Sequence, residues 1–424
     1  MSSHGSAAFS LALPSRICVS IGEPSPEKLL RLAHTEASRG ETLFEFCLEC
    51  LTDPHDGPGV VRDFGRRWPD AWVIVTCRKD GGCFHGPAGR QLELLAACVD
   101  AGARIVDVEI ETAADNPQWM LQMGEYCLRI VSYHNYHAAP PLDPILRNLE
   151  SVPADIIKVA VAAQDGERLC NLIEQARRYP RPAIFLAMGP CGLPTRILGP
   201  CAGRSFTYGS APSATATAVG QLDVQTLREI YRLDKVSSAT AFIAGFPGPA
   251  TELSDAVEYN KILAEAGPHM IYVPWPGIST IPLLLLFNSA LQTRGMAVHH
   301  QWASQIFAFV DQVDLEAKNA GIIDTLWKHR ERWHAGWKLG EAILNSLRTT
   351  SAPAVCVSGG DPRQRQAVEK LLKSHRYSLV DRSHAEVSID LTQMEVSYSG
   401  KDHKVSLREQ VMQRQLECWL EDRQ

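Results

Sequence analysis

From Arg16 to about Leu233 the chain alternates short β-branched and aliphatic runs with longer amphipathic stretches. The runs fall at Ile17–Ile21, Leu43–Leu48, Trp72–Thr76, Arg104–Ile110, Arg129–Tyr133, Asp155–Val161, Ala183–Ala187 and Ser205–Tyr208. They recur roughly every 22–32 residues, the size of a strand with its crossover helix. Most show little alternation of polar and apolar positions, as expected of parallel strands covered on both faces. Helical periodicity fills gaps between them, for example at Glu27–Ser38, Arg90–Ala101 and Asp165–Arg178. Eight such units in about 220 residues predict a (β/α)8 TIM barrel. A doubly wound open sheet is the structural competitor, but it would more often have fewer strands and a Gly-rich phosphate turn, and no such turn is found here.

Beyond Asp234 the texture changes. Residues 234–240 read as a connector, and a second unit opens at Ala241-Phe242-Ile243-Ala244-Gly245-Phe246-Pro247. Helical stretches at Asp255–Ala266, Thr280–Arg294 and Glu316–Ile323 mix there with short strands. A third piece begins near Pro353, with a strand at Ala354–Ser358, a Gly359-Gly360 turn and a helix over Pro362–Lys373. A strand near Tyr377–Val380 and an amphipathic helix over Leu407–Leu420 close the chain. The expected boundaries are 1–15 (an N-terminal extension), 16–233 (the barrel), 234–240, 241–352 and 353–424 (a shortened α/β region).

Composition narrows the function classes. The 424 residues exceed one hydrophobic core. The 45% hydrophobic and 21% charged fractions are ordinary for a soluble globular protein. A net charge of −6 with no basic face argues against nucleic acid as partner. The tract Lys328-His329-Arg330-Glu331-Arg332 reads as a solvated helix face. The 12 scattered cysteines do not form a disulfide framework. Cys47 and Cys50 lie in what reads as one strand, where residues three apart face opposite sides, so they read as buried free thiols. Residues 1–15 lack the basic start and apolar centre of a secretory signal. The apolar stretch Ile281–Phe287 is too short to span a bilayer. A soluble cytoplasmic protein with no membrane partner is expected.

In a TIM barrel, polar residues near the C-terminal strand ends point into the site. The strand runs here carry Glu45, Arg78, Glu109, His134 and Lys158. Lys158 lies in Ala154-Asp155-Ile156-Ile157-Lys158-Val159-Ala160-Val161, a run otherwise mostly apolar. A lysine there either snorkels to the rim or is buried with a depressed pKa, the state that carbonyl attack requires. His134 ends the preceding strand and suits proton transfer near neutral pH. Arg196, on what reads as a loop after the seventh strand, could grip a carboxylate in bidentate fashion. Gln221, after the eighth, could hold a hydroxyl.

Ser132-Tyr133-His134-Asn135-Tyr136, followed by Ala154-Asp155-Ile156-Ile157-Lys158-Val159-Ala160, resembles the histidine and lysine segments of type I 3-dehydroquinate dehydratases. The resemblance spans about residues 16–233 and includes Phe44-Glu45-Phe46, Thr76-Cys77-Arg78, Val106-Asp107-Val108-Glu109, Met188-Gly189 and Val219-Gly220-Gln221. It implies dehydration of the small molecule 3-dehydroquinate to 3-dehydroshikimate through a Schiff base, with no metal or redox cofactor. On that resemblance Lys158 matches the imine-forming lysine, His134 the general acid/base and Glu45 the site carboxylate. Arg196 matches the carboxylate-binding arginine, Arg78 and Gln221 polar substrate contacts, and Met188 an apolar wall. Three departures stand out. Cys47 replaces the arginine usual two residues after the glutamate. Asp80 stands where a glutamate precedes the Gly pair. Thr217 replaces the usual serine four residues before the glutamine and keeps its hydroxyl.

Residues 241–424 resemble a shikimate dehydrogenase placed behind the dehydratase, the order of bifunctional plant-type enzymes. Residues 241–352 correspond to its substrate domain and 353–424 to a truncated nucleotide domain with the final helix. The expected Thr-x-Pro-x-Lys reads His299-His300-Gln301-Trp302-Ala303, without lysine. The expected Asn-Thr-Asp falls near Arg332-Trp333-His334, without aspartate. Val357 occupies the first glycine position of the nucleotide turn, and Asp381-Arg382-Ser383 adds an acid where an NADP phosphate would be gripped. An inactive scaffold or homodimerising module is expected. Two other readings stand beside the dehydratase: a ligand-sensing or regulatory homologue, to which Cys47 points, and a bifunctional dehydratase/shikimate dehydrogenase, against which the missing lysine speaks.

Overall fold

The computed structural model describes residues 13–79, 84–162, 166–201, 206–214, 216–237, 239–246, 253–267, 270–275, 292–348, 354–399 and 404–420. Residues 1–12 of the expected extension 1–15, Asp80, and the apolar stretch Ile281–Phe287 with most of the helix expected around it lie outside these residues. The chain divides into two compact units, Met1–Thr240 and Ala241–Gln424. The connector expected at 234–240 falls in the first, where the Arg16 guanidinium donates to the Val236 carbonyl at 2.7 Å.

In the first unit eight strands appear: β1 (Ile17–Ile21), β2 (Leu43–Cys47), β3 (Trp72–Thr76), β4 (Ile105–Glu109), β5 (Leu128–Asn135), β6 (Ile156–Ala162), β7 (Ala183–Met188) and β8 (Thr207–Ser210). Their order is β7-β6-β5-β4-β3-β2-β1-β8, and every pairing is parallel. Because β8 returns to β1, the sheet curls into a near-closed barrel, which excludes the open doubly wound alternative. Helices Pro26–Ser38, Ala88–Asp100 and Gly166–Arg178 lie between successive strands. In the first of these, Ser25 caps the start, Pro26 presets the backbone, and Leu29, Leu32 and Ala33 are buried. Cys18, Leu43, Ile74, Ile105, Ile130, Ile156, Ile184 and Tyr208, one from each strand, pack into one core cluster.

The second unit holds two sheets. One has six strands: β9 (Ala241–Phe246), β10 (Met270–Pro274), β11 (Thr293–Val298), β12 (Gln312–Val313), β13 (Thr325–His329) and β14 (Arg332–Gly336), in the order β10-β9-β11-β13-β14-β12. The other has β15 (Ala354–Ser358), β16 (Ser378–Leu379), β17 (Val387–Asp390), β18 (Glu395–Tyr398) and β19 (Lys404–Ser406), in the order β16-β15-β17-β18-β19. β16, β15 and β17 pair in parallel, whereas β18 pairs antiparallel with both β17 and β19. This is a shortened α/β arrangement rather than a full doubly wound sheet.

Two sequence expectations are corrected. The tract 328–332 is a β-hairpin, not a helix face: β13 and β14 pair antiparallel, with buried Leu326 opposite buried Ala335. The charged residues had no periodicity of their own, and the apolar flanks set the state. Cys47 and Cys50 do not share a strand either. Cys47 ends β2 and is buried, whereas Cys50 ends a 3-10 turn and is exposed. Among the described residues no helix is long and apolar enough to cross a membrane.

Candidate active site

Alternate strands of a closed barrel contribute side chains to a common interior layer. Here Glu45 on β2, Asp107 on β4, Lys158 on β6 and Tyr208 on β8 meet in one. Lys158 is 3% exposed, its Nζ 2.8 Å from Asp107 Oδ2, 3.6 Å from Glu45 Oε1 and 4.4 Å from the centre of the Tyr208 ring. The sequence reading places this lysine among apolar neighbours. The strand around it is apolar, but the interior it enters carries two carboxylates.

Arg78 sits just past β3 and spans three carboxylates: Glu45 at 3.2 Å, Glu49 at 3.2 Å and Asp107 at 3.7 Å. Burial opposes its charge, but the three acids outweigh burial and hold the guanidinium above its ordinary value. Burial would raise the Asp107 carboxyl; Lys158, Arg78 and His134 overcome it and bring the group down to about 2. Burial prevails at Glu49, which is raised despite Arg78 and the hydroxyl of Thr76 at 3.0 Å. Of Asp107 and Glu49, Glu49 is thus the more ready to take a proton.

His134 lies on β5 two residues beyond Ser132, the register partner of Lys158, so the ring is on the lysine's side of the sheet and nearer the barrel mouth. Burial, then Arg78 and Lys158, holds the imidazole well below 6.5, against the opposing pull of Asp107. It is therefore neutral near pH 7, and its buried Nδ1 has no hydrogen-bond partner among the described residues. Tyr136 stacks on it with centroids 6.1 Å apart.

A hydroxyl chain approaches from the other side. Ser20 donates to Glu45 Oε2 at 2.6 Å and lies 2.9 Å from Thr217 Oγ1, which is 3.0 Å from Gln221 Oε1. Gln221 thus meets the cluster through Thr217. Cys47 Sγ stands 3.7 Å from Glu45 Oε2 and 3.8 Å from Ser20 Oγ. Burial, then Glu45 and Glu49, raises this thiol well above its ordinary value, so it is a neutral, inert group. Met188 ends β7 and packs on the barrel core. Glu109 accepts from the Lys79 backbone N–H at 2.8 Å.

Arg196 departs from its expected place. It lies on a helix, Leu193–Cys201, rather than a loop, because Pro194 presets the first turn and Thr195 Oγ1 ties it back by donating to the Gly192 carbonyl and accepting from Ala187 N–H. The residue is 2% exposed, and burial lowers its guanidinium to about 10. Its Nε lacks a hydrogen-bond partner among the described residues. Such a desolvated cation is favourable only when an anion meets it.

Sequence reasoning missed Asp107, Glu49, Ser20 and Tyr208. Asp107 is two residues before Glu109 in the same run, so its apolar flanks on both sides were a usable signal. Nothing local distinguishes Tyr208 from any other strand aromatic.

In the second unit the glycine turn after β15 is engaged by its own chain. Gly359 and Gly360 take φ of 69° and 70°. The Gly360 N–H donates to Thr392 Oγ1 at 3.0 Å, and Arg365 donates to the Gly359 carbonyl at 2.9 Å.

The family described as type I 3-dehydroquinase matches residues 17–238. The bifunctional 3-dehydroquinate dehydratase/shikimate dehydrogenase of Arabidopsis thaliana, a chloroplastic protein, is 23% identical over 370 residues, covering 84% of this chain and 60% of its own length. The 3-dehydroquinate dehydratase of Methanocaldococcus jannaschii is 29% identical over 223 residues, covering 51% of this chain and 98% of its own. Among solved structures, the dehydroquinate dehydratase and shikimate dehydrogenase from S. pombe AroM aligns with a TM-score of 0.41 at 20% identity, covering 88% of this chain and 75% of that one. The chain thus spans less than two thirds of the Arabidopsis relative, and its region after the barrel resembles shikimate dehydrogenase.

Proposed function

The chain belongs to the type I 3-dehydroquinase family through residues 17–238, and from that premise we propose that its barrel converts 3-dehydroquinate to 3-dehydroshikimate through an imine on Lys158. The observation that carries the reading is the buried Nζ of Lys158 held between Asp107 and Glu45 over the Tyr208 ring. Attack on the C3 ketone requires the neutral amine, so a proton first leaves Nζ; the Glu45 carboxylate and the neutral His134 are the bases at that end of the barrel. The base then returns that proton to the carbinolamine hydroxyl, which departs as water; an iminium cation is left and the base is again unprotonated. The two carboxylates and the face of Tyr208 stabilise this positive charge. The iminium draws electrons from C2, where His134 removes a proton; the same imidazolium then gives its proton to the departing C1 hydroxyl. Water hydrolyses the product imine and restores the amine. Arg196, buried with no ion pair among the described residues, would receive the substrate carboxylate, and Gln221 with Thr217 a ring hydroxyl. Met188 would wall the ring.

The dehydrogenase-like region is read as inactive. Ala303 stands where the family's lysine would act, and Thr392 and Arg365 fill the turn that would approach a pyrophosphate. A second reading, ligand binding without turnover, draws on Cys47, which places a neutral thiol where a charged donor is usual. Losing such a donor costs about 1–3 kcal/mol.

Borohydride reduction in the presence of 3-dehydroquinate tests the proposal. A covalent adduct on Lys158, absent in Lys158→Ala, is expected, together with near-complete loss of dehydration in Lys158→Ala and His134→Ala. Substrate binding with no adduct and no turnover in the wild type would replace it with the ligand-sensing reading.

A further inference from the structure

The basic hairpin of the second unit is not used by the barrel chemistry. β13 and β14 are joined by Arg330 and Glu331, both at positive φ, 48° and 63°. Two-residue hairpin turns of this form favour Asn and Gly, because a Cβ is strained there. The register sets His329 directly opposite Arg332 and Trp327 opposite His334, with Gln312 of β12 beside His334. Residues two apart on a strand share a face. Trp327, His329, Arg332, His334 and Gln312 therefore lie on one side of the sheet, and with Arg330 they line a recess of about 690 Å³. Among the described residues no carboxylate lines it, and Glu331, exposed in the turn, stays outside it. Neither arginine has an ion pair among the described residues. Basic groups placed opposite each other on a strained turn weaken a sheet, yet they are concentrated here in a chain of net charge −6. Strain of this kind is often retained where it serves binding. The floor of the recess is aromatic: Trp327 and His334 stack with centroids 5.5 Å apart and planes 30° off parallel, and His329 meets His334 edge-on at 5.6 Å.

We propose that this recess binds an anion carrying a planar ring, of the class of a nucleoside phosphate. The ring stacks on the Trp327–His334 pair, and the phosphates meet Arg330 and Arg332, with His329 and Gln312 as further donors. The site is separate from the glycine turn at Gly359-Gly360, which belongs to the other sheet.

Equilibrium dialysis of the full chain with ADP, and with inorganic pyrophosphate, at low ionic strength provides the test. ADP is expected to bind saturably, about ten-fold or more tighter than pyrophosphate, and to weaken as salt rises. Arg330→Ser combined with Arg332→Ser, both exposed in the wild type, weakens both ligands about ten-fold or more. His334→Ala removes the preference for ADP and leaves pyrophosphate binding; Trp327→Leu does the same, with thermal unfolding as the control for this half-buried position. Non-saturating ADP overturns the proposal. So does a double variant that binds like the wild type, which would assign the nucleotide elsewhere, and so does pyrophosphate binding as tightly as ADP.

Discussion

At the scale of single residues, the barrel interior is governed by competition between burial and charge. Asp107 shows the balance: burial alone would raise its carboxyl, yet Lys158, Arg78 and His134 hold it at about 2. Because the folded value lies below the unfolded 3.8, the unfolded chain binds the proton first as pH falls. The stability this carboxylate contributes, about 2 kcal/mol, is present above 3.8 and is lost as pH drops towards 2. Urea unfolding across that window should show the loss, and Asp107→Asn should remove it while lowering stability at neutral pH by roughly 3 kcal/mol, since a buried ammonium loses its nearest counter-ion. An unchanged acid slope in Asp107→Asn would mean that the carboxylate is not coupled to the cluster. His134 shifts in a way that bears on catalysis. Burial and two neighbouring cations hold it well below 6.5, so it remains a competent base on the acid side of neutrality. The acid limb of kcat/KM that belongs to this imidazole is therefore expected below 6.5, and a limb at or above that value would rule out His134 as the base.

At the scale of elements, a buried carboxylate of the second unit has a structural task. Asp324 accepts from the Lys338 and Leu339 backbone N–H groups, each at 2.8 Å, and so caps helix Lys338–Arg348. Burial lifts its carboxyl to about 6, against the hydrogen bonds from Thr325 and from the Leu339 and Lys338 backbone. Here the folded value lies above the unfolded 3.8, so the unfolded chain releases the proton first as pH rises. The second unit should lose roughly 3 kcal/mol between 3.8 and about 6 from this group alone. Asp324→Asn flattens that slope in tryptophan-monitored unfolding; the same slope in both proteins would show that the capping carboxylate is not its source.

At the scale of the whole molecule, legibility in the sequence followed the range of the interaction. The eight strand runs were readable because each is a local apolar segment at a regular interval. Their ends moved by a residue or two, as at Leu48, which left β2 for the turn that carries Glu49. Lys158, His134 and Glu45 were readable because a polar group in an apolar strand is conspicuous. Asp107 is as conspicuous between Val106 and Val108, but its pairing with Lys158, 51 residues away in sequence, is not visible in either segment. Tyr208 acquires its place beneath the amine only when β8 closes against β1. The hairpin at 328–332 is hidden from the sequence for a related reason: its state is set by pairing between strands, which four charged residues and a histidine do not reveal.

The sequence by itself determined the count and order of the barrel strands, the lysine within an apolar strand and the histidine one strand before it, because strand periodicity and an isolated polar residue are properties of short segments; whether that lysine snorkels or is buried was left to the fold. Tertiary structure alone decided that the lysine's neighbours would be anionic, that Arg78 would be shared among three acids and that Arg196 would be buried on a helix. Closure of the sheet brings alternate strands into one layer, and charges distant along the chain then meet where water no longer screens them.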